Sequence, residues 1–213
     1  MAARRRIVLA SRNPGKVREI RTILGEAGVE IVGLDDVDPA GAIPQPAEDA
    51  PTFAANARDK ASAYAQATGC WALADDSGLE VDALGGAPGV RSARYAADDC
   101  PPDADKKAVD AANNARLLRE LADVDDERRT ARFVCHLALS DGKQTLIEAT
   151  GTVDGRIARR PAGSNGFGYD PLFHLPEQGC TAAELTARQK NRISHRGRAA
   201  RQFARRLREL LDR

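Results

Sequence analysis

Short apolar runs alternate with helical stripes along most of this chain, and the two periods mark out its elements. Residues 7–10 form an unbroken apolar run with strand character. Val17, Ile20, Ile23, Leu24 and Ala27 then fall on one helical stripe, with Gly28 as its stop signal. Residues 29–34 read as the next strand, and residues 35–51 as a loop punctuated by Pro39, Pro44, Pro46 and Pro51. Thr52 has the chemistry of a cap for a helix that turns Phe53, Ala57, Ala61 and Tyr64 inward and ends near Gly69. Residues 71–74 are again a strand, predicted to stop at Asp75 and Asp76.

The second half continues the alternation. A helix over about residues 104–121 carries Val109, Leu117, Leu118 and Leu121 and reads as scaffold. Residues 130–139 alternate as a strand, Asp141-Gly142 reads as a hairpin turn into residues 144–150, and Asp154-Gly155 as another turn. Thr181-Ala182-Ala183-Glu184 is a capping box that opens a short helix through Lys190. Ser194 caps a last helix whose buried stripe is Ala200, Phe203, Ala204, Leu207, Leu210 and Leu211. Its arginines, Arg198, Arg201, Arg205, Arg206 and Arg208, lie mostly off that stripe and read as a solvated face.

Composition adds bounds. With 213 residues, 42% of them apolar, the chain can bury a core as a single domain over residues 1–213. Its 30% of charged residues cancel to a net charge of +1, which gives no bulk electrostatic case for nucleic acid as a partner. The basic start lacks the apolar centre of a signal peptide and no membrane-length apolar run follows, so the expectation is a cytoplasmic protein with no membrane partner. Cys70, Cys100, Cys135 and Cys180 form no Cys-x-x-Cys pair and no zinc spacing with the three histidines, which points to reduced thiols.

Four stretches carry chemistry. Ser11-Arg12-Asn13-Pro14-Gly15-Lys16, between a strand and a helix, has the makings of a phosphate cradle, because free backbone N–H groups and the helix dipole both favour an anion there. It is not a Walker A loop: Ala10 and Val17 stand where that motif has Gly and Ser or Thr. Asp75-Asp76-Ser77-Gly78 sets two carboxylates side by side, which repel unless a cation or a proton relieves them. Alone it is equally an acidic turn. Glu48 is an oxygen donor in the proline-stiffened loop, and Asn56 and Lys60 share a helix face. In residues 160–171, three glycines surround Phe167 and Tyr169, flat faces suited to a purine base, with Asp170 as an acceptor; a glycine-rich turn with core aromatics has the same signature. Lys190 to Gly197 adds a further cationic segment.

Taken together, Ser11 to Lys16 with Glu19, Ala74-Asp75-Asp76-Ser77-Gly78-Leu79 with Gly85-Gly86-Ala87-Pro88-Gly89, Phe167-Gly168-Tyr169-Asp170-Pro171, and Ser194-His195-Arg196-Gly197 resemble the inosine triphosphate pyrophosphatase family, in order and nearly end to end. The resemblance implies a mixed α/β fold with an elongated central sheet, flanking helices and two lobes around a nucleotide cleft. It implies a homodimer that hydrolyses ITP, dITP and XTP to the nucleoside monophosphate and pyrophosphate with Mg²⁺. A related-fold pyrophosphatase acting on another modified or pyrimidine nucleotide is the alternative.

By position, the family resemblance makes Asp76 the proton acceptor, with Lys60 beside it, and Glu48 with Asp76 the metal ligands. Asp75 would support the metal without binding it. Ser11, Arg12, Asn13, Pro14, Gly15 and Lys16 would hold the triphosphate. Ser77, Phe167, Gly168, Tyr169, Asp170, Lys190, His195 and Arg196 would contact the nucleotide. One position departs from the family pattern: Ala55 stands in Phe53-Ala54-Ala55-Asn56-Ala57 where members commonly have Glu, which leaves Glu48 and the Asp pair as the acidic set.

Overall fold

A computed structural model of the chain describes residues 6–25 and 29–212. The predicted end of the first helix at Ala27 and Gly28 lies outside the described residues, as does the basic start before Arg6. In chain order the strands and helices are β1 (Arg6–Leu9), α1 (Pro14–Leu24), β2 (Glu30–Gly33), α2 (Leu34–Val37), α3 (Phe53–Thr68) and β3 (Trp71–Val81). Then come α4 (Lys106–Glu120), β4 (Thr130–Ser140), β5 (Thr145–Ile157), β6 (Phe173–Leu175), β7 (Cys180–Thr181), α5 (Ala187–Ile193) and α6 (His195–Leu211). The strands make one mixed sheet in the order β2-β1-β3-β4-β5-β6-β7, with β1 parallel to β2 and β3, and β6 antiparallel to β5 and β7. The parallel strands are joined through α1 and α3, as parallel pairing requires. No described helix is long and apolar enough to cross a membrane.

The chain divides into two compact units. The first comprises Met1–Asp76, Cys135–Gly151 and Ser194–Arg213, the second Ser77–Val134 and Thr152–Ile193, so β3, β4 and β5 supply residues to both.

In the first unit the strand pleat sorts the core into two layers. Ile7, Leu9 and Leu73 join Ile20 and Leu24 of α1 and Ala200, Phe203 and Leu207 of α6, while Val8, Ala10, Ala72 and Ala74 join Ala57, Ala61 and Tyr64 of α3. Successive residues of a strand point to opposite faces, and here both faces are covered by helices. Gly151 of β5 lets the first turn of α6 come close: a Cβ at that position would run into the His195 carbonyl and the Ala199 nitrogen. In the second unit Leu79, Val81, Phe133, Val153 and Ile157 pack with Leu117 of α4, with Leu121 just after that helix, and with Tyr169, Leu172 and Phe173.

The structure departs from the sequence reading at several points. β3 does not stop at the acidic pair but continues to Val81, so Asp75 and Asp76 are strand residues. Asp154-Gly155 is not a turn; it lies inside β5, where Gly155 admits the His174 carbonyl and the Phe173 ring, both too near for a Cβ. The capping box at Thr181 and Glu184 closes a single 3₁₀ turn, Ala182–Glu184, and α5 starts afresh at Ala187. Residues 34–37, read as strand end and loop, form α2, in which Asp36 accepts the Gly33 N–H at 2.7 Å. Leu211, placed on the buried stripe, is 37% exposed. The arginine row of α6, from Arg198 to Arg208, is exposed as read.

Candidate active site

Alternation along β3 decides what each carboxylate of the acidic pair meets. Asp75 follows Leu73 onto the face covered by α1 and α6, and its side chain is 0% exposed. There Lys16 of α1 reaches Oδ1 at 2.5 Å, Arg196 of α6 donates its Nε to Oδ2 at 3.2 Å, and the Cys135 thiol lies 3.5 Å from Oδ2. Arg196 is held on its other side by Glu19, at 2.5 Å from Nη1. Burial alone would raise the Asp75 pKa, but Lys16, Arg196 and Lys60 outweigh it and hold the carboxyl well below the usual range. Burial works against Arg196 too, and Asp75 and Glu19 overcome it, raising the guanidinium above its ordinary value.

Asp76 follows Ala74 onto the α3 face. Its Oδ2 accepts from Asn56 Nδ2 at 3.0 Å, and Oδ1 stands 3.8 Å from Lys60 Nζ. Lys60 donates to Glu48 Oε1 at 2.6 Å and to the Asp75 carbonyl at 2.7 Å, so its ammonium is bracketed by two carboxylates and a peptide oxygen. Burial is the largest influence on Asp76 and raises its pKa; Lys60, Lys16 and the Asn56 amide offset it only in part. For Lys60 the balance runs the other way: Asp76, Glu48 and Asp75 overcome burial and raise its pKa. Neighbouring carboxyls pushed in opposite directions are the arrangement by which one site keeps an always-ionised group beside a proton acceptor.

The loop before α1 is more closed than a phosphate cradle of free amides. Asn13 caps the helix, its Oδ1 accepting from Gly15 N at 3.0 Å and Lys16 N at 3.3 Å, and Ser11 Oγ accepts from Asn13 N at 3.2 Å. Pro14 has no N–H to offer, and Val17 N bonds to the Asn13 carbonyl. The first turn therefore presents capped amides, and the cations supply the charge: Lys16 on Asp75, and Arg12 on Asp35 at 2.7 Å and Asp38 at 2.6 Å. His195 is buried in the first turn of α6, after Ser194, whose hydroxyl caps the helix by accepting from Gly197 N at 3.1 Å.

In the second unit Phe167, Gly168, Asp170 and Lys190 come together, and Ser77 sits half-buried on β3. Asp170 Oδ2 accepts from Phe167 N at 2.8 Å and pairs with Lys190 Nζ at 2.5 Å. The half-buried Phe167 ring has Lys190 Nζ 5.0 Å and Lys106 Nζ 5.7 Å from its centroid. Tyr169 is 4% exposed and donates its hydroxyl to the Ser92 carbonyl at 2.9 Å, so it anchors the loop while Phe167 presents a face.

Sequence reasoning did not single out Asp110, Asn114, Cys135 or Gly151, all of which shape these sites. Two of them, Asp110 and Asn114, left a signal: polar residues four apart on the helix that also carries Leu117.

A sequence model of the Ham1 family matches residues 7–206. This chain belongs to that family. Among its Ham1 relatives, the dITP/XTP pyrophosphatase of Nocardia farcinica is 50% identical over 214 residues, covering 98% of this chain and 97% of the relative. That of Geobacillus kaustophilus is 51% identical over 195 residues, 91% of this chain and 89% of the relative. The solved HAM1 protein from Coxiella burnetii superposes with a TM-score of 0.82 at 40% identity, covering 96% of this chain and 99% of the other. The dITP/XTP pyrophosphatase from Mycobacterium abscessus gives 0.71 at 44% identity, over 92% and 97%.

Proposed function

We propose that this chain hydrolyses the non-standard purine nucleoside triphosphates ITP, dITP and XTP to the monophosphate and pyrophosphate, removing them from the nucleotide pool. The observation that carries the chemistry is the divided acidic pair: Asp76 with its raised pKa beside Asn56 and Lys60, next to Asp75 held ionised by Lys16 and Arg196. Its Ham1 relatives, named dITP/XTP pyrophosphatases, support the substrate class.

Cleavage between the α and β phosphates needs an in-line water, a proton acceptor, and positive charge where pyrophosphate departs. Asp76 takes the proton of the attacking water; its raised pKa brings it nearer to neutrality, where a general base works best. Lys16 and Lys60 supply charge toward the phosphates, and Arg12 with the side chains of the Ser11 to Lys16 loop, whose first-turn amides are already capped, holds the chain of phosphates. Arg196, tied to Asp75 and Glu19, contributes by fixing Asp75.

Mg²⁺ fits the donor set only jointly with substrate. It prefers oxygen ligands and is commonly held by one or two carboxylates plus phosphate oxygens. Glu48 and Asp76 offer two carboxylates around Lys60, and among the described residues no group of three or more His, Cys, Asp or Glu is arranged for a metal. Bound there with a triphosphate, the ion would neutralise charge on the leaving pyrophosphate.

Phe167 receives the base on its ring face, with Gly168, Asp170 and Lys190 around it, and Ser77 and His195 complete the nucleotide contacts. Hypoxanthine and xanthine carry a 6-keto acceptor where adenine carries an amino donor, and a site built to hydrogen-bond that acceptor rejects the wrong partner by about 10⁴-fold or more. The same reading takes the enzyme as cytoplasmic and as a homodimer, and sedimentation of the purified protein checks the dimer.

The test is incubation with ITP, XTP, GTP, ATP or TTP, with and without Mg²⁺, following pyrophosphate and orthophosphate separately. Pyrophosphate from ITP and XTP, lost on chelation, is the expected result. Orthophosphate as the first product, or equal turnover of ATP, would overturn the reading.

A further inference from the structure

We infer that Asp110 and Asn114 on α4 form a clamp on Gly168, the residue after Phe167, and are positioning residues for recognition of the purine base. This rests on the assignment of Phe167 to the base made above.

The observation is that the polar groups of this short loop are tied from several sides. Gly168 N donates to Asp110 Oδ2 at 3.0 Å, and Gly168 O accepts from Asn114 Nδ2 at 2.9 Å. Phe167 N donates to Asp170 Oδ2 at 2.8 Å, and the Phe167 carbonyl accepts from Asp170 N at 3.3 Å. Glycine-rich loops are otherwise free to sample many conformations, and this one holds three glycines in residues 163–168. The clamp removes that freedom before any ligand arrives, which is how a loop gains affinity without gaining contacts.

Two features separate a clamp from ordinary helix packing. First, Asp110 and Asn114 are four apart on one face of α4 and grip both polar groups of a single residue, Gly168, the N–H and the C=O. Second, Asn114 is kept at a cost. Both partners of its Nδ2 are carbonyls, Gly168 O and Asp110 O, each at 2.9 Å, which fixes the amide orientation. Its Oδ1 is then buried with no hydrogen-bond partner among the described residues. A leucine would fill similar space without an unpaired oxygen but would take the donor from the Gly168 carbonyl, so what the asparagine secures at the cost of its own Oδ1 is the hold on that loop carbonyl. Asp110 also holds Lys106, at 2.8 Å, the lysine 5.7 Å from the Phe167 ring centroid. The clamp therefore sets both the ring and a cation beside it.

The variants are Asp110→Ala, Asp110→Asn and Asn114→Leu, studied in the full-length protein. We expect Asp110→Ala and Asn114→Leu to raise KM for ITP about tenfold with kcat within about twofold, the split that marks lost ground-state binding. Affinity for IMP should fall by the same factor, and affinity for inorganic tripolyphosphate, which has no base, should not change. Asp110→Asn retains an acceptor for the Gly168 N–H and should restore most of the IMP affinity. Unchanged KM and IMP affinity in folded Asp110→Ala and Asn114→Leu would overturn the clamp, as would a parallel loss for tripolyphosphate or a fall in kcat alone.

Hydrogen exchange at the Gly168 amide keeps the clamp testable if the wild-type protein turns over no ITP, an outcome that would refute the proposed function instead. Protection in the wild type that disappears in Asp110→Ala supports the clamp. An unprotected wild-type amide overturns it.

Discussion

Asp75 and Asp76 are adjacent in the chain and live in different chemical worlds. The first sits between Lys16 and Arg196, fully buried and held ionised; the second faces Asn56 and Lys60, its ionised form disfavoured by burial. One strand pleat separates them. The lesson is that a pair of carboxylates need not act as a pair: the one with two cations at contact distance is held ionised, and the one with an amide and a more distant ammonium has its charge disfavoured by burial.

The largest effect expected from breaking this contrast is on turnover. Asp76→Asn should lower kcat by about 10²- to 10⁴-fold, the usual worth of a general base, while the melting temperature holds or rises. Pyrophosphate release from ITP measures it, and near-normal turnover would remove Asp76 from its role. Asp75→Asn should act on stability, leaving the buried Arg196 and the half-buried Lys16 short of a partner and costing about 3–5 kcal/mol in denaturant unfolding. A loss below about 1 kcal/mol would mean that the cage around Asp75 is not what holds it.

The two carboxyls should also part company in acid. Asp75 has a depressed folded pKa, so its stabilisation is present above its unfolded value of about 3.9 and is lost as pH falls below that toward the folded value. Asp76 has a raised folded pKa, so its contribution runs the other way: stability is fully present below about 3.9 and declines as pH rises through the folded value. Unfolding free energies measured without divalent cations should therefore show an acid limb that Asp75→Asn flattens, and a gain for Asp76→Asn near neutrality. The reverse assignment of the two effects would contradict the geometry.

Asn56→Ala sharpens the contrast at smaller scale. Losing the amide removes one influence that lowers the Asp76 pKa, and a hydrogen bond to a charged group contributes about 1.5–3 kcal/mol, so kcat on the acid side of the rate profile should fall about tenfold or somewhat more. The acid limb of the rate profile should move to higher pH. A drop in kcat with that limb unmoved would assign Asn56 to substrate instead.

Much of the fold was legible because its signals are local. The apolar runs of β1 and β3, the stripe of α6, and the caps Thr52 and Ser194 depend on neighbours a few residues away, and the structure reproduces them. What failed were places where distant contacts overrule local preference. Gly155 read as a turn because glycine is a turn former, and its use in β5 depends on Phe173 and His174. The acidic pair read as a strand end because carboxylates rarely sit inside strands, and β3 continues because Lys16, Arg196 and Lys60 compensate them there. The capped loop before α1 was half legible: Asn13 and Pro14 announce the helix start, yet that same cap occupies the Gly15 and Lys16 amides expected for an anion.

The order and chemistry of the motifs, and with them the family, were determined by the residues themselves, since side-chain type and spacing along the chain suffice to show them. Tertiary structure alone decided which carboxylate is held ionised and which has its pKa raised, and which aromatic is a face and which an anchor. Those outcomes depend on burial and on partners far away in sequence, as Arg196 is from Asp75 and Ser92 from Tyr169. An ionisation energy is set by everything within a few ångströms, and only the folded chain says what that is.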